Sequence, residues 1–118
     1  MKLSLKNSSR RQVDAALVIQ DLFGGSGFPF DFVVAELNGN HPTVRNKISD
    51  RVYFFLDGTA SVKVAAQRFE VEKYDLITIP KNTPHSLSGH TRYIVITSPP
   101  FDPANEIVEV RDENDHHT

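Results

Sequence analysis

Five side chains in the middle of this chain combine types that do chemistry with spacings a fold can use. Arg45 and Lys47 stand two apart, Arg51 and Tyr53 stand two apart, and His85 lies in a later block running from Tyr74 to Gly89. On a β-strand, residues two apart share a face. Each close pair is therefore presented together, whichever way its strand is turned. A guanidinium suits the planar, bidentate recognition of a carboxylate or phosphate, and an ammonium adds a point charge. An imidazole beside cations is held neutral at pH 7, because a like charge disfavours its protonated form, and a neutral imidazole can take a proton. None of the three cations offers a lone pair. One histidine alone does not hold iron, manganese or zinc tightly, since these ions want several imidazoles, carboxylates or thiolates.

The elements that must position these residues read as short strands. Apolar runs rich in Val, Ile, Phe and Tyr alternate with turn residues. Strands are expected at 30–37, 51–57, 61–64, 68–71, 76–79, 85–87 and 92–97, with a last edge strand at 105–110. Asn38-Gly39-Asn40-His41-Pro42, Asp57-Gly58 and Ser88-Gly89-His90 are expected to be the turns between them. Within 51–57, Val52, Phe54 and Leu56 share one face, and Arg51, Tyr53 and Phe55 share the other. Phe54, Leu56, Ile77, Ile79, Ile94 and Ile96 are expected in the core or in a subunit contact. Tyr93 joins Tyr53 as a candidate wall of a pocket, a phenol being apolar with a polar tip. Residues 13–23 are expected to form a strand followed by one helical turn. Residues 98–103 read as stiff, extended chain, and 111–118 as a frayed tail whose His116 and His117 are solvated.

Composition narrows the class. At 118 residues the chain is read as a single domain, with its core within about 12–110. A net charge of −2 gives no basic field for nucleic acid or an anionic membrane. The absence of cysteine removes disulfides, zinc–thiolate sites and thiol catalysis together. No apolar run reaches bilayer-spanning length, and the start MKLSLKNSSRRQ lacks an apolar signal core. A cytoplasmic location is the expectation. No phosphate-cradling glycine loop or nucleophile elbow is present, since Gly24-Gly25-Ser26-Gly27 lacks the ending Lys-Ser/Thr.

One pattern spans residues 30–100. Gly39 is followed after five residues by Arg45-Asn46-Lys47, then by Arg51, then by Gly58 inside RVYFFLDG. YDLITIPKNTPHSLSG follows, with Pro80 and His85. This resembles the cupin family, whose first motif is G-x5-H-x-H-x3-4-E-x6-G and whose second is G-x5-P-x-G-x2-H-x3-N. Gly39, Gly58, Pro80 and His85 match. The family's two histidines and glutamate fall on Arg45, Lys47 and Arg51, and two of its glycines fall on Tyr74 and Asn82.

The resemblance implies an all-β, cupin-type antiparallel barrel (a double-stranded β-helix or jelly roll) with few or no helices, and often a homodimer. It aims Arg45, Lys47, Arg51 and His85 into one cavity, with Tyr53 beside them. His85 is then the only matching metal position. No cofactor is expected, and a divalent metal would need His41, Asp50, Asp31 or Glu36 to join His85. The expected function is a stand-alone cupin that binds a small anionic or sugar-like ligand through Arg45, Lys47 and Arg51, with Tyr53 and His85 orienting it. The alternatives are a metal-independent sugar epimerase or isomerase with His85 as acid and base, a metal-dependent oxygenase or isomerase, and a non-catalytic interaction module with a filled barrel. Against all of these stands a plainer arrangement, in which Asp50, Glu36 or Asp31 neutralises the cations, or in which Arg45 and Lys47 reach water.

Overall fold

Long strands that bend, rather than hairpins of short ones, carry this chain. The computed structural model describes residues 1–109. Among the described residues the strands are β1 (Arg11–Gln12), β2 (Leu17–Asp21), β3 (Asp31–Asn46), β4 (Asp50–Val64), β5 (Gln67–Val71), β6 (Leu76–Ile79), β7 (His85–Ser98) and β8 (Glu106–Val108). They form one antiparallel sheet in the order β1-β2-β3-β7-β4-β5, with β6 added on β4 and β8 on β3. The helical content among the described residues is two single turns, Leu5–Asn7 and Pro103–Asn105. The helical turn expected within 13–23 is absent: Leu17–Asp21 pairs with β3 throughout, and the β-branched Val18 and Ile19 suit that ladder. The expected tail at 111–118 lies outside the described residues.

The segments expected as turns at Gly39, Gly58 and Gly89 are instead strand interior. Asn38, Gly39 and Asn40 pair with His90, Gly89 and Ser88, while Gly58, Thr59 and Ala60 pair with Thr91, His90 and Gly89. All three glycines have positive φ. A Cβ on Gly58 would strike the backbone of His90, and one on Gly89 would strike Thr59 and Ala60. Glycine here marks the corner of a curling sheet where two backbones meet, a known reason for glycine within a strand.

Two bulges decide which residues point inward. Between His41 and Val44, β3 spends one more residue than β7 does between Leu87 and His85. The inward parity of β3 therefore switches from odd (Val33, Ala35, Leu37) to even (Val44, Asn46). A second shift between Phe55 and Asp57 does the same on β4, from Tyr53 and Phe55 to Ala60 and Val62. The core is built from these inward sets, with Phe55, Val62, Ile79 and Leu87 almost fully buried. Phe54, Leu56, Ile94 and Ile96 lie half-buried on the outer face, which corrects the first of the two placements expected for them, the core, and bears on the subunit contact only in leaving them partly exposed. Ile79 does belong to the core, and Ile77 packs against it.

Candidate functional site

The inward faces of β2, β3, β4 and β7 enclose a hollow of about 180 Å³. At roughly 30 Å³ per water, that is space for about six waters or one small ring-bearing molecule. One wall is apolar, made by Leu17, Ile19, Val33, Ala35 and Val95. The polar lining lies beside these on the same curved sheet, where Val95 pairs with Val33 and Tyr53 and stands between Tyr93 and Thr97; Arg51, Glu106 and Phe101 complete it. Two larger depressions, of about 490 and 570 Å³, are open dishes on the outside of the sheet. Neither is lined by a buried charged side chain, whereas the barrel interior carries the buried Arg51, so the interior is the candidate site.

Arg51 is the centre of the polar wall, and it is 7% exposed. Its Nη2 donates to Glu106 Oε1 at 2.7 Å, and its Nη1 lies 3.2 Å from His85 Nε2. The Phe101 ring lies 5.8 Å from the guanidinium carbon. Burial works against the charge, but Tyr53 and Glu106 outweigh it and hold the arginine above its ordinary pKa. Glu106 Oε1 also accepts from Asn46 Nδ2 at 3.0 Å. The Asn46 side-chain Oδ1 in turn accepts from the backbone N–H groups of Ile48 and Ser49. The ion pair is thus fixed to the barrel by a tight turn.

His85 is walled in. Its Nδ1 faces the Thr83 carbonyl at 2.9 Å, so Nδ1 carries the proton and Nε2 accepts from Arg51. Burial, assisted by the nearby cation, pulls its pKa down to about 4. Its ring meets Tyr53 edge-on at 5.9 Å. Tyr53 is pushed up to about 12 by burial and stays a neutral phenol; Tyr93, 5.3 Å away, is raised for the same reason.

Arg51 and Tyr53 line the hollow as expected, with His85 immediately behind them. Arg45 and Lys47 do not, and this corrects their expected inward placement. Once the bulge after His41 has switched parity, it is Asn46 that points in. Arg45 donates to Asn82 Oδ1 at 2.6 Å and to Glu109 Oε1 at 3.1 Å on the outside. Lys47 is exposed. The hollow that was expected to be cationic is lined by two cations, Arg11 and Arg51, and three carboxylates, Asp21, Asp31 and Glu106.

Two residues escaped the sequence reading, and a third was misplaced by it. Glu106 lies 55 positions from Arg51 and carries no local signal. Asn46 was the unremarked residue between two cations. His41, placed in a turn beside Pro42, in fact lines the hollow. Its Nδ1 is 3.2 Å from Asp14 Oδ2, and Asp14 Oδ1 accepts from the backbone of Ala16 and Leu17. Continuing the odd-residue alternation of β3 through Gly39 would have found His41.

These side chains do not fit a divalent metal. Among the described residues no three His, Asp or Glu side chains converge. Of the other donors considered, Asp50 caps the Lys81 backbone at 2.8 Å, and Glu36 pairs with Arg10 on the surface. The lone pair of His85 that would face an ion faces a guanidinium.

No protein-family model matches the chain, and no curated protein aligns with it significantly. Solved structures do. A variant of the Streptomyces protein Pac13 with uridine superposes with a TM-score of 0.83 over 92% of this chain and 89% of its own, at 20% identity. The cupin domain of Schizosaccharomyces pombe Cnp3 gives 0.69 over 86% and 74%, also at 20% identity. The chain has a cupin fold. A protein from Planctomyces limnophilus shares the barrel at a TM-score of 0.81 and 25% identity, over 90% of this chain and 94% of that one. The cupin barrel accounts for the matching glycines, the proline and His85 of the two motifs. It also accounts for the family glycine positions taken by Tyr74 and Asn82, which adopt positive φ of 74° and 60°.

Proposed function

We propose that this cupin barrel binds a small, polar, ring-bearing molecule of the sugar or nucleoside kind. The observation that carries this reading is the mixed lining of the hollow: apolar side chains stand beside the buried Arg51 and Tyr53, and Arg51 is held in place by Glu106 and His85. Sites of this type hold small molecules by apolar contact and use a few preset polar groups for orientation. In support, solved cupin structures include one with uridine, and Pac13 is described as a nucleoside dehydratase. Arg51 and Tyr53 are the residues we assign to ligand contact. His85 positions Arg51, whereas Arg45 and Lys47 contribute nothing directly.

The test is calorimetric titration with uridine, neutral monosaccharides and sugar acids, repeated on Tyr53→Phe. At least one compound is expected to bind the wild type. The variant, which keeps the ring but loses the hydroxyl, should bind it about tenfold more weakly, a hydrogen bond's worth of about 1.4 kcal/mol. No binding by any compound overturns the reading.

A specific observation favours a second reading, acid–base chemistry on the bound molecule. Asp14 fixes the tautomer of His41, leaving Nε2 of a cavity-lining imidazole to take a proton from a ligand C–H or O–H and return it. His85 has no free lone pair for this role. Deuterium incorporation at a ligand carbon from heavy water, lost in His41→Ala while binding persists, would establish it; unchanged incorporation would exclude His41.

A further inference from the structure

The charge on Arg51 is already answered from within the chain. Its Nη2 is on the Glu106 carboxylate at 2.7 Å and its Nη1 is on His85, while Phe101 covers its face. Both members of the ion pair are nearly buried, with side-chain exposures of 8% and 15%. An incoming phosphate or carboxylate would have to displace Glu106 and leave that carboxylate unpaired in the wall, which is strongly unfavourable. The remaining charged lining adds to the bias. Asp21 and Asp31 face the hollow against the single exposed Arg11. Asp31 Oδ2 is also tied to the Phe101 backbone at 2.7 Å.

We infer that Glu106 is a resident counter-ion that sets the charge of the ligand: the barrel admits neutral hydroxylated molecules and rejects their phosphorylated or carboxylated forms. The inference rests on reading the hollow as a ligand site, and it narrows that reading to uncharged ligands. It also explains why a strand as short as β8 matters. Glu106 arrives on a C-terminal strap held by pairing of Val44, Arg45 and Asn46 with Val108, Ile107 and Glu106, and by Ser49 Oγ on the Pro99 carbonyl.

The substitution Glu106→Gln keeps an oxygen for Arg51 and Asn46 but removes the charge. Melting temperature is followed against inorganic phosphate at constant ionic strength for the wild type, Glu106→Gln and Glu109→Gln. Glu109 pairs with Arg45 outside the barrel, so its variant controls for a general loss of surface charge. The wild type and Glu109→Gln are expected to be indifferent to phosphate. Glu106→Gln should rise saturably, by about 6 °C at tenfold excess over the dissociation constant. A saturable rise in the wild type, no rise in Glu106→Gln, or an equal rise in Glu109→Gln each overturns the inference. Failure of the underlying reading would register separately, as the absence of binding by any neutral compound in the calorimetric panel.

Discussion

Burying an imidazole between a backbone carbonyl and a guanidinium fixes both its proton and its lone pair, and that arrangement has a thermodynamic signature. Burial pulls the pKa of His85 down to about 4 in the fold, from the ordinary imidazole value of 6.5 that it regains when exposed. Because the folded value is depressed, the unfolded chain takes up the proton first as the pH falls. The contribution of a neutral His85 is therefore complete above about 6.5. It declines as the pH drops towards 4 and is fully lost below that, a change on the order of 3 kcal/mol. Chemical denaturation of the wild type and His85→Gln at about pH 7 and pH 4 separates this from the titration of carboxylates common to both. The wild type should lose about 3 kcal/mol more than the variant; equal losses would mean that His85 is not buried as described.

At the scale of elements, the strands depend on three glycine corners and two bulges. Gly58 and Gly24 both have positive φ, 76° and 55°, yet only Gly58 sits against another backbone; nothing lies within 4 Å of a Cβ on Gly24. Gly24→Ala should cost about 1 kcal/mol, the conformational term alone. Gly58→Ala should cost roughly 3 kcal/mol or more, because the crossing of β4 with β7 must open as well. Urea denaturation of the two variants checks the contrast, and similar losses would refute the corner account. The same features explain what could be read from the sequence. The Val/Ile/Phe/Tyr runs and the alternation of Arg51, Tyr53 and Phe55 gave true strands and the true inward face of β4. The glycines were read as turns because turns and barrel corners use the same residue for the same conformational freedom, and only the pairing partner, some 30 to 50 residues away, tells them apart. Arg45 and Lys47 went to the wrong side because a single extra residue near Pro42 reverses every side chain after it.

At the scale of the whole molecule, the site is a meeting of distant segments. β4 supplies Arg51 and Tyr53, β7 supplies His85 and Tyr93, β3 supplies Asn46 and His41, and the strap after Ser98 supplies Phe101 and Glu106. The motif spacings pointed to Arg51 and His85, the alternation of β4 to Tyr53, and the amphipathic phenol to Tyr93. Nothing local in sequence pointed to the strap, whose carboxylate leaves the expected cationic hollow with three carboxylates against two cations. The claim at the centre of this account is that a small neutral molecule occupies that hollow. Amide chemical-shift mapping during titration with uridine and with a neutral monosaccharide tests it directly. The account predicts saturable shifts concentrated at Ile19, Val33, Tyr53, Tyr93 and Val95, whose side chains line the interior. Shifts confined to the outer depression around Thr59, Ser61 and Glu70, or none with either compound, would contradict it.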